Sequence, residues 1–129
     1  MDFFVYGTLT DADRAAAVCS SVEFLDDAML DGLHRVDGRY PTLAPGGSVE
    51  GRILRTDAVD ALDRYEGVDR RLYVRVAVPR TDGGEVQTYV GDPDRLGIDV
   101  EWPGDGPFDE RVDGYLRDAD VTVEPTTES

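Results

Sequence analysis

The side chain best suited to acid-base chemistry is Glu66. It follows residues 57–65, in which apolar side chains such as Leu62 recur at helical spacing, so we expect its carboxyl group at the end of an amphipathic helix. If the apolar face draws Glu66 inward, burial raises its pKa and lets it hold or release a proton near neutrality. The alternative is an ordinary glutamate in the last helical turn, paired with Arg64 or Arg70. The residues alone leave both interpretations open.

The turn after the first apolar run is the second candidate. Residues 3–6 predict a buried strand, and Gly7 predicts a tight turn before a helix that is capped by Thr10 or Asp11 and runs to about Val18. Backbone N–H groups at such a turn can bind carboxylate or phosphate oxygens. We expect Gly7 to adopt a backbone geometry that a β-branched residue would resist. The same pattern is equally common where a strand simply leaves a sheet.

Other side chains with catalytic or ligand-binding potential are sparse. Cys19 and His34 each occur once and lie in unrelated segments, so the sequence predicts no zinc site. A nucleophile and base formed by these two residues is a weaker hypothesis, because a solitary cysteine after an alanine-rich helix is more often an inert packed thiol. No glycine-rich nucleotide fingerprint is present. We therefore expect no metal and no cofactor.

The remaining elements favour an α+β fold. We predict a helix over residues 57–65, capped by Asp57 and ended by Gly67, and a hairpin turn at residues 82–84. Gly51 indicates a bulge or a close backbone approach within its strand. The prolines and glycines at 38, 41 and 45–47 predict loops. Strands are predicted at residues 28–36, 49–55, 72–78 and 86–90. Local pairing of these strands favours a small mixed or antiparallel β-barrel with flanking helices.

The last third of the chain has weaker patterns. Residues 92–107 are rich in Asp, Gly and Pro, and a short helix is predicted over residues 108–116. We expect one domain over residues 1–119, followed by a mobile acidic tail at residues 120–129.

The charge of the chain restricts its partners. The 129 residues include 28 acidic and 13 basic ones, for a net charge of −15, and every basic residue is Arg. Such a field repels phosphate backbones, so we expect no nucleic acid partner. No apolar run approaches membrane-spanning length and no targeting segment is evident, so we expect a cytoplasmic location. The absence of Lys favours a protein from a high-salt environment over an ordinary acidic one.

Five short motifs, in their order and spacing, resemble the γ-glutamylcyclotransferase-like family in its short AIG2-like branch. Together they cover roughly residues 1–92, and the last third matches only loosely. The fold of that family is a small β-barrel with flanking helices, which agrees with the predicted elements. The motifs are Phe4-Val5-Tyr6-Gly7-Thr8-Leu9, Tyr40-Pro41, Val49-Glu50-Gly51-Arg52-Ile53, Leu62-Asp63-Arg64-Tyr65-Glu66-Gly67 and Tyr73-Val74-Arg75.

The resemblance implies a role for three of these motifs. It implies a pocket mouth at Tyr6-Gly7-Thr8-Leu9, whose backbone binds the glutamyl end of a substrate, and a catalytic acid/base at Glu66. Tyr73 matches a tyrosine near the pocket, where it either donates a hydrogen bond or serves only as a core residue. The first motif lacks the asparagine common in longer glutathione-pathway members, so their substrate preference is not carried over.

The activity implied by the resemblance is a cyclisation that needs no cofactor. A small γ-glutamyl amine, amino acid or dipeptide would close to 5-oxoproline and release its amine, with Glu66 moving the protons. The alternative is a binding or regulatory module that keeps the pocket without turnover, because fold alone does not assign chemistry. The retained Glu66 favours the enzyme, since a mere binder of a carboxylate gains nothing from a nearby acid.

Overall fold

The computed structural model describes residues 1–19, 21–37 and 41–126 and has an α+β architecture, as expected. Within these ranges six strands form one sheet, and four α-helices and two short 3₁₀ turns flank it. The strands are β1 Asp2–Val5, β2 Glu23–Val36, β3 Thr42–Arg55, β4 Tyr73–Pro79, β5 Glu85–Gly91 and β6 Thr122–Pro125. The helices are α1 Ala12–Val18, α2 Val59–Glu66, α3 Pro93–Leu96 and α4 Phe108–Asp118. The 3₁₀ turns are Thr8–Thr10 and Val68–Arg70.

The sheet curls into a half-barrel. Its strand order is β4-β5-β1-β3-β2-β6, in which β1 and β5 pair in parallel and the other neighbours pair antiparallel. The two ends of the sheet approach each other, because Arg80 bridges to Val123 of β6 and the Thr81 N–H donates to the Val123 carbonyl. The structure thus confirms the predicted barrel-like, mixed sheet.

Strand β1 lies between two hydrophobic clusters. Successive side chains of a strand point to opposite faces. Phe4 joins the larger cluster, which the sheet shares with Val112 of α4. Phe3 joins the second cluster together with Leu62 of α2. Both phenylalanines and Leu62 are fully buried, so the second cluster anchors α2 against the sheet and fixes the position of its C-terminal end.

The long β2–β3 hairpin differs from the sequence prediction. The loops predicted at Pro45 to Gly47 lie inside β3, while residues 38–40 lie outside the described residues. The pairing is irregular around Gly32, and Pro45 lies opposite Leu33. Gly46 and Gly47 therefore form a bulge within β3, opposite Gly32, and do not reverse the chain.

Helix α2 begins later than predicted. Its N-cap is Ala58, and the Asp57 side chain caps nothing; the Ala58 N–H instead donates to Thr56 Oγ1 at 3.1 Å. Thr56 is buried, and its hydroxyl donates to the Ser21 carbonyl at 2.5 Å. In α1 the prediction is confirmed, since Asp11 accepts from two N–H groups of the first turn.

Strand β6 replaces part of the expected tail. Residues 122–125 pair with β2, and Val121 and Val123 are fully buried. The apolar residues alternate with polar ones here, which is the strand pattern that the acidic composition of the segment hides. The predicted mobile tail from Asp120 is therefore wrong for residues 122–125, and residues 127–129 lie outside the described part of the chain.

Candidate active site

A cavity of about 400 Å³ opens where β1, the C-terminal end of α2 and the start of β4 meet. Five of the six residues proposed from the sequence line it: Tyr6, Gly7, Leu9, Glu66 and Tyr73. Thr8, the sixth, lies in the 3₁₀ turn beside them. The other lining residues are Phe4, Val5, Pro41, Tyr65, Arg70, Leu72 and Tyr89. The fold therefore brings both predicted parts of the site to one cavity.

Glu66 is the last residue of α2 and is partly buried. Gly67 ends the helix in the left-handed region at φ 74°, where its N–H donates to the carbonyls of the last turn. Burial raises the pKa of Glu66 to about 7. Among the described residues, no ion pair joins Glu66 to Arg64 or Arg70, so the paired surface glutamate is not what the structure shows. A carboxyl group with this pKa exchanges protons readily near neutrality.

The first turn is held firmly at the cavity wall. Both the N–H and the hydroxyl of Thr10 donate to the Gly7 carbonyl, at 3.1 and 2.7 Å. The amide groups of residues 7–9 stand at the beginning of this turn, where the turn itself provides no acceptor for them. Arg35 adds a hydrogen bond from its guanidinium to the Tyr6 carbonyl at 2.8 Å. The backbone of this turn is thus held by three hydrogen bonds to the Tyr6 and Gly7 carbonyls.

Tyr6 connects the first turn to strand β5. Its hydroxyl donates to the Tyr89 carbonyl at 2.5 Å, and its side chain is only 8% exposed. Burial and the nearby Glu66 carboxylate raise the pKa of Tyr6 well above its ordinary value, so this phenol stays protonated. Its hydroxyl proton is directed into the protein and not toward the cavity.

The glycine that requires close packing is Gly51 and not Gly7. Gly7 does not have a positive φ, and a Cβ built on it would meet only Pro41 Cγ at 4.0 Å. The expectation of a special backbone geometry at Gly7 is therefore wrong. A Cβ on Gly51 would lie 2.2 Å from the Val5 carbonyl oxygen, because β1 and β3 pack tightly there. The predicted close backbone approach at Gly51 is confirmed.

Tyr73 has features of both interpretations drawn from the sequence. It is 7% exposed and belongs to the second hydrophobic cluster, yet its ring also lines the cavity. Its hydroxyl donates to the Pro41 carbonyl at 2.6 Å. Donation to a substrate would require this contact to change, whereas apolar contact with a substrate would not. Tyr40, the residue before Pro41 in the matched motif, lies outside the described residues.

Sequence reasoning missed a network behind the cavity. The Tyr89 hydroxyl donates to Asp63 Oδ1 at 2.7 Å, and Arg75 Nε lies 3.2 Å from the same oxygen. Burial and the neighbouring Asp63 raise the pKa of Tyr89 above its ordinary value. Asp63 precedes Glu66 by one helical turn, so the network ties α2 to β4 and β5. The i, i+3 spacing of Asp63 and Glu66 indicates that both lie on one face of the helix. It does not identify the partners of Asp63, which come from the distant strands β4 and β5.

The other candidates from the sequence lie elsewhere. Cys19 is 2% exposed in the second hydrophobic cluster, and burial raises the pKa of its thiol. His34 is exposed on β2, with its Nδ1 3.1 Å from the Gly46 carbonyl oxygen. Neither lines the cavity. In the described ranges, no group of three or more His, Cys, Asp or Glu residues is arranged to hold a metal ion.

Comparison with known proteins shows the family of this chain. The family model for "Gamma-glutamyl cyclotransferase, AIG2-like" matches residues 3–104, a range that contains every residue of the candidate site. This chain belongs to that family. It is 34% identical over 115 residues to AIG2-like protein C of Arabidopsis thaliana, and the match covers 78% of this chain. The same match covers 65% of the relative, so this chain spans less than two thirds of its length.

Solved structures of other proteins share the fold. A gamma-glutamyl cyclotransferase structure superposes with a TM-score of 0.57 at 17% identity, covering 91% of this chain and 98% of the other. A solution structure of an Arabidopsis thaliana protein gives a TM-score of 0.56 at 29% identity, covering 91% and 83%. The first likeness, at its low identity, shows the fold alone. No helix among the described residues has the length and apolarity needed to cross a membrane.

Proposed function

We propose that this protein is a γ-glutamyl cyclotransferase-type enzyme that converts a small γ-glutamyl compound to 5-oxoproline and a free amine. The observation that carries the proposal is a partly buried glutamate, with a pKa raised to about 7, in a cavity that residues of the first turn also line, in a member of this family. Glu66 is the proposed acid/base. Tyr6, Gly7, Thr8, Leu9 and Tyr73 are the proposed binding residues.

The reaction requires little from the protein beyond positioning and proton transfer. The glutamyl chain carries both its nucleophile, the α-amino nitrogen, and its electrophile, the γ-carbonyl carbon, so ring closure is intramolecular. The cavity of about 400 Å³ lies within the ordinary range for small-molecule sites. Its walls are largely aromatic and aliphatic and exclude water from the folded glutamyl chain.

Glu66 moves the proton that permits attack. As a carboxylate it accepts a proton from the α-ammonium group, whose freed electron pair then forms the ring C–N bond at the γ-carbonyl carbon. As the tetrahedral intermediate collapses, the protonated Glu66 gives that proton to the departing nitrogen while the original C–N bond breaks. The ring nitrogen loses its second proton when the amide forms, and the released amine takes up one proton, so the reaction is balanced. A pKa of about 7 suits both halves of this cycle.

The start of the first turn is the proposed site for the glutamyl carboxylate. N–H groups that lack an acceptor within their own turn donate well to anions. The chain has no Lys that could bind the carboxylate, whereas backbone N–H groups can donate hydrogen bonds to it. Tyr6 and Thr10 hold the backbone of this turn through the hydrogen bonds described above. 5-Oxoproline, which keeps this carboxylate, should therefore bind here as a product.

The test is a turnover assay with a matched pair of variants. The wild-type protein, in molar KCl, is incubated with γ-glutamyl amines, amino acids and dipeptides while 5-oxoproline is measured. Glu66→Gln should fold and bind 5-oxoproline but lose turnover, because the amide cannot accept the ammonium proton. Glu85→Gln, an exposed change of the same kind on β5, should keep full activity.

Two results of this assay would contradict the proposal. Substantial turnover by Glu66→Gln would remove Glu66 from the mechanism. Binding of γ-glutamyl compounds by the wild-type protein without any 5-oxoproline formation would favour the binding or regulatory module instead.

A further inference from the structure

Arg70 brings a positive charge to the mouth of the cavity. Among the described lining residues, Glu66 and Arg70 are the two with formally charged side chains at neutral pH. Arg70 is exposed, whereas Tyr6, Leu9 and Tyr73 deeper in the wall are all less than 9% exposed. The cavity therefore has an apolar interior and a cationic rim, in a protein whose net charge is −15.

The backbone holds Arg70 in place. Directly after Gly67, the 3₁₀ turn Val68–Arg70 is closed by N–H donation from Arg70 and Leu72 to the Gly67 carbonyl, at 3.0 and 3.1 Å. The guanidinium folds back over the end of α2, since a Cβ built on Gly67 would lie 3.2 Å from Arg70 Nη2. Gly67 follows Glu66 directly, so the guanidinium lies at the C-terminal end of the helix that carries the proposed acid/base. In the described structure no ion pair neutralises it.

The arrangement separates the two ends of a γ-glutamyl substrate. The glutamyl end must fold back on itself next to Glu66, within the buried wall, and the leaving amine must then extend toward the mouth. If the leaving group is an α-amino acid, its carboxylate lies on the carbon next to the departing nitrogen. That carboxylate is then close to Glu66 on the mouth side, which is where Arg70 lies.

We propose that Arg70 is a specificity-determining residue that binds the carboxylate of the leaving amino acid, so that the enzyme prefers γ-glutamyl amino acids to neutral γ-glutamyl amines. This inference rests on the proposed function and narrows its substrate class. A guanidinium binds a carboxylate through paired N–H donors, and this contact is stronger than one between neutral groups. A neutral amide in the same position loses that charge-assisted contact.

The turnover test uses two matched substrates, γ-glutamyl-alanine and γ-glutamyl-alaninamide, at one fixed KCl concentration. Wild type should favour the carboxylate by roughly 2-fold to 5-fold in kcat/KM, the range expected for one ion pair at an exposed guanidinium. Arg70→Gln should lose most of this preference through a lower kcat/KM on γ-glutamyl-alanine. Arg70→Lys should retain part of it. Arg64→Gln makes the same charge change on an exposed residue of α2 outside the cavity and should behave as wild type.

A binding test separates this inference from the proposed function. In the Glu66→Gln background, calorimetry compares γ-glutamyl-alanine, its amide and 5-oxoproline, with and without Arg70→Gln. Arg70→Gln should weaken only the first ligand, because 5-oxoproline has no leaving group. Equal weakening of all three, or of 5-oxoproline, would overturn the assigned role, as would the absence of any preference for the carboxylate. If selective binding is seen but no substrate turns over, the proposed function fails while the role of Arg70 stands.

Discussion

Burial of Glu66 should leave a pH-dependent effect on stability that can be assigned to this one residue. Its pKa rises from the ordinary 4.5 to about 7 in the folded protein. Between these values the unfolded chain ionises Glu66 while the folded chain keeps it protonated, so stability falls as pH rises. Each pKa unit corresponds to about 1.36 kcal/mol, so the whole loss is about 3 kcal/mol. The stabilisation that comes from protonated Glu66 is fully present below about pH 4.5 and is lost as the pH rises to about 7. Above about pH 7 the effect of Glu66 on stability no longer changes with pH.

Glu66→Gln isolates this contribution, because the amide does not titrate while the other acidic residues remain. The variant's free energy of unfolding, minus that of wild type, should rise by about 2.5 kcal/mol between about pH 5 and about pH 8.5. Urea denaturation, followed by the fluorescence of the buried Trp102 at constant KCl, measures it. Urea is used because it leaves the ionic strength unchanged. Glu85→Gln, an exposed control, should give a difference that is constant with pH.

Parallel stability curves for wild type and Glu66→Gln would refute the reasoning. They would mean that Glu66 titrates as an exposed glutamate does, and the chemical argument for the cavity would lose its main support. A pH-dependent difference of the opposite sign would mean that a cation stabilises the ionised carboxylate.

Three further predictions concern packing, the network behind the cavity and salt. Gly51→Ala should lower the free energy of unfolding by about 2 kcal/mol or more, because its Cβ would meet the Val5 carbonyl. Gly114→Ala on α4, where the added Cβ meets open space, should be neutral or slightly stabilising in the same urea denaturation assay. Asp63→Asn should lower the melting temperature and kcat together, because it removes the ion pair with Arg75. Asp60→Asn, on the exposed face of α2, should change neither. An unchanged kcat in Asp63→Asn would show that the network does not position Glu66. The melting temperature of the wild-type protein should climb from dilute buffer to molar KCl as the net charge of −15 is screened, and a flat profile would remove the high-salt hypothesis.

The sequence predicted the parts of the fold that local patterns determine. Strand β1, the Asp11 cap of α1, the end of α2 at Gly67 and the β4–β5 hairpin each have turn or cap residues next to a regular apolar pattern. Glu66 stood out from the many other acidic residues because it follows the apolar face of a helix. Its burial depends on how α2 packs on the sheet, which no local pattern determines.

The missed features depend on contacts between distant segments. Gly46 and Gly47 lie within a strand because β3 pairs with β2 on both sides of the bulge. Strand β6 forms because it pairs with the edge of β2. Tyr89 reaches Asp63 from 26 residues away, so no spacing rule links them. Ala58 and not Asp57 is the N-cap of α2, and the Ala58 N–H donates to Thr56, whose hydroxyl bonds to the distant Ser21 carbonyl.

The pH dependence of kcat/KM for 5-oxoproline formation tests the central proposal most directly. If the Glu66 carboxylate accepts the ammonium proton, kcat/KM should rise about tenfold per pH unit below about pH 7 and level off above it, since only the ionised form acts as a base. A profile that passes through about pH 7 without a change in slope, or that breaks near the ordinary glutamate value of 4.5, would contradict the assignment of Glu66 as the catalytic acid/base.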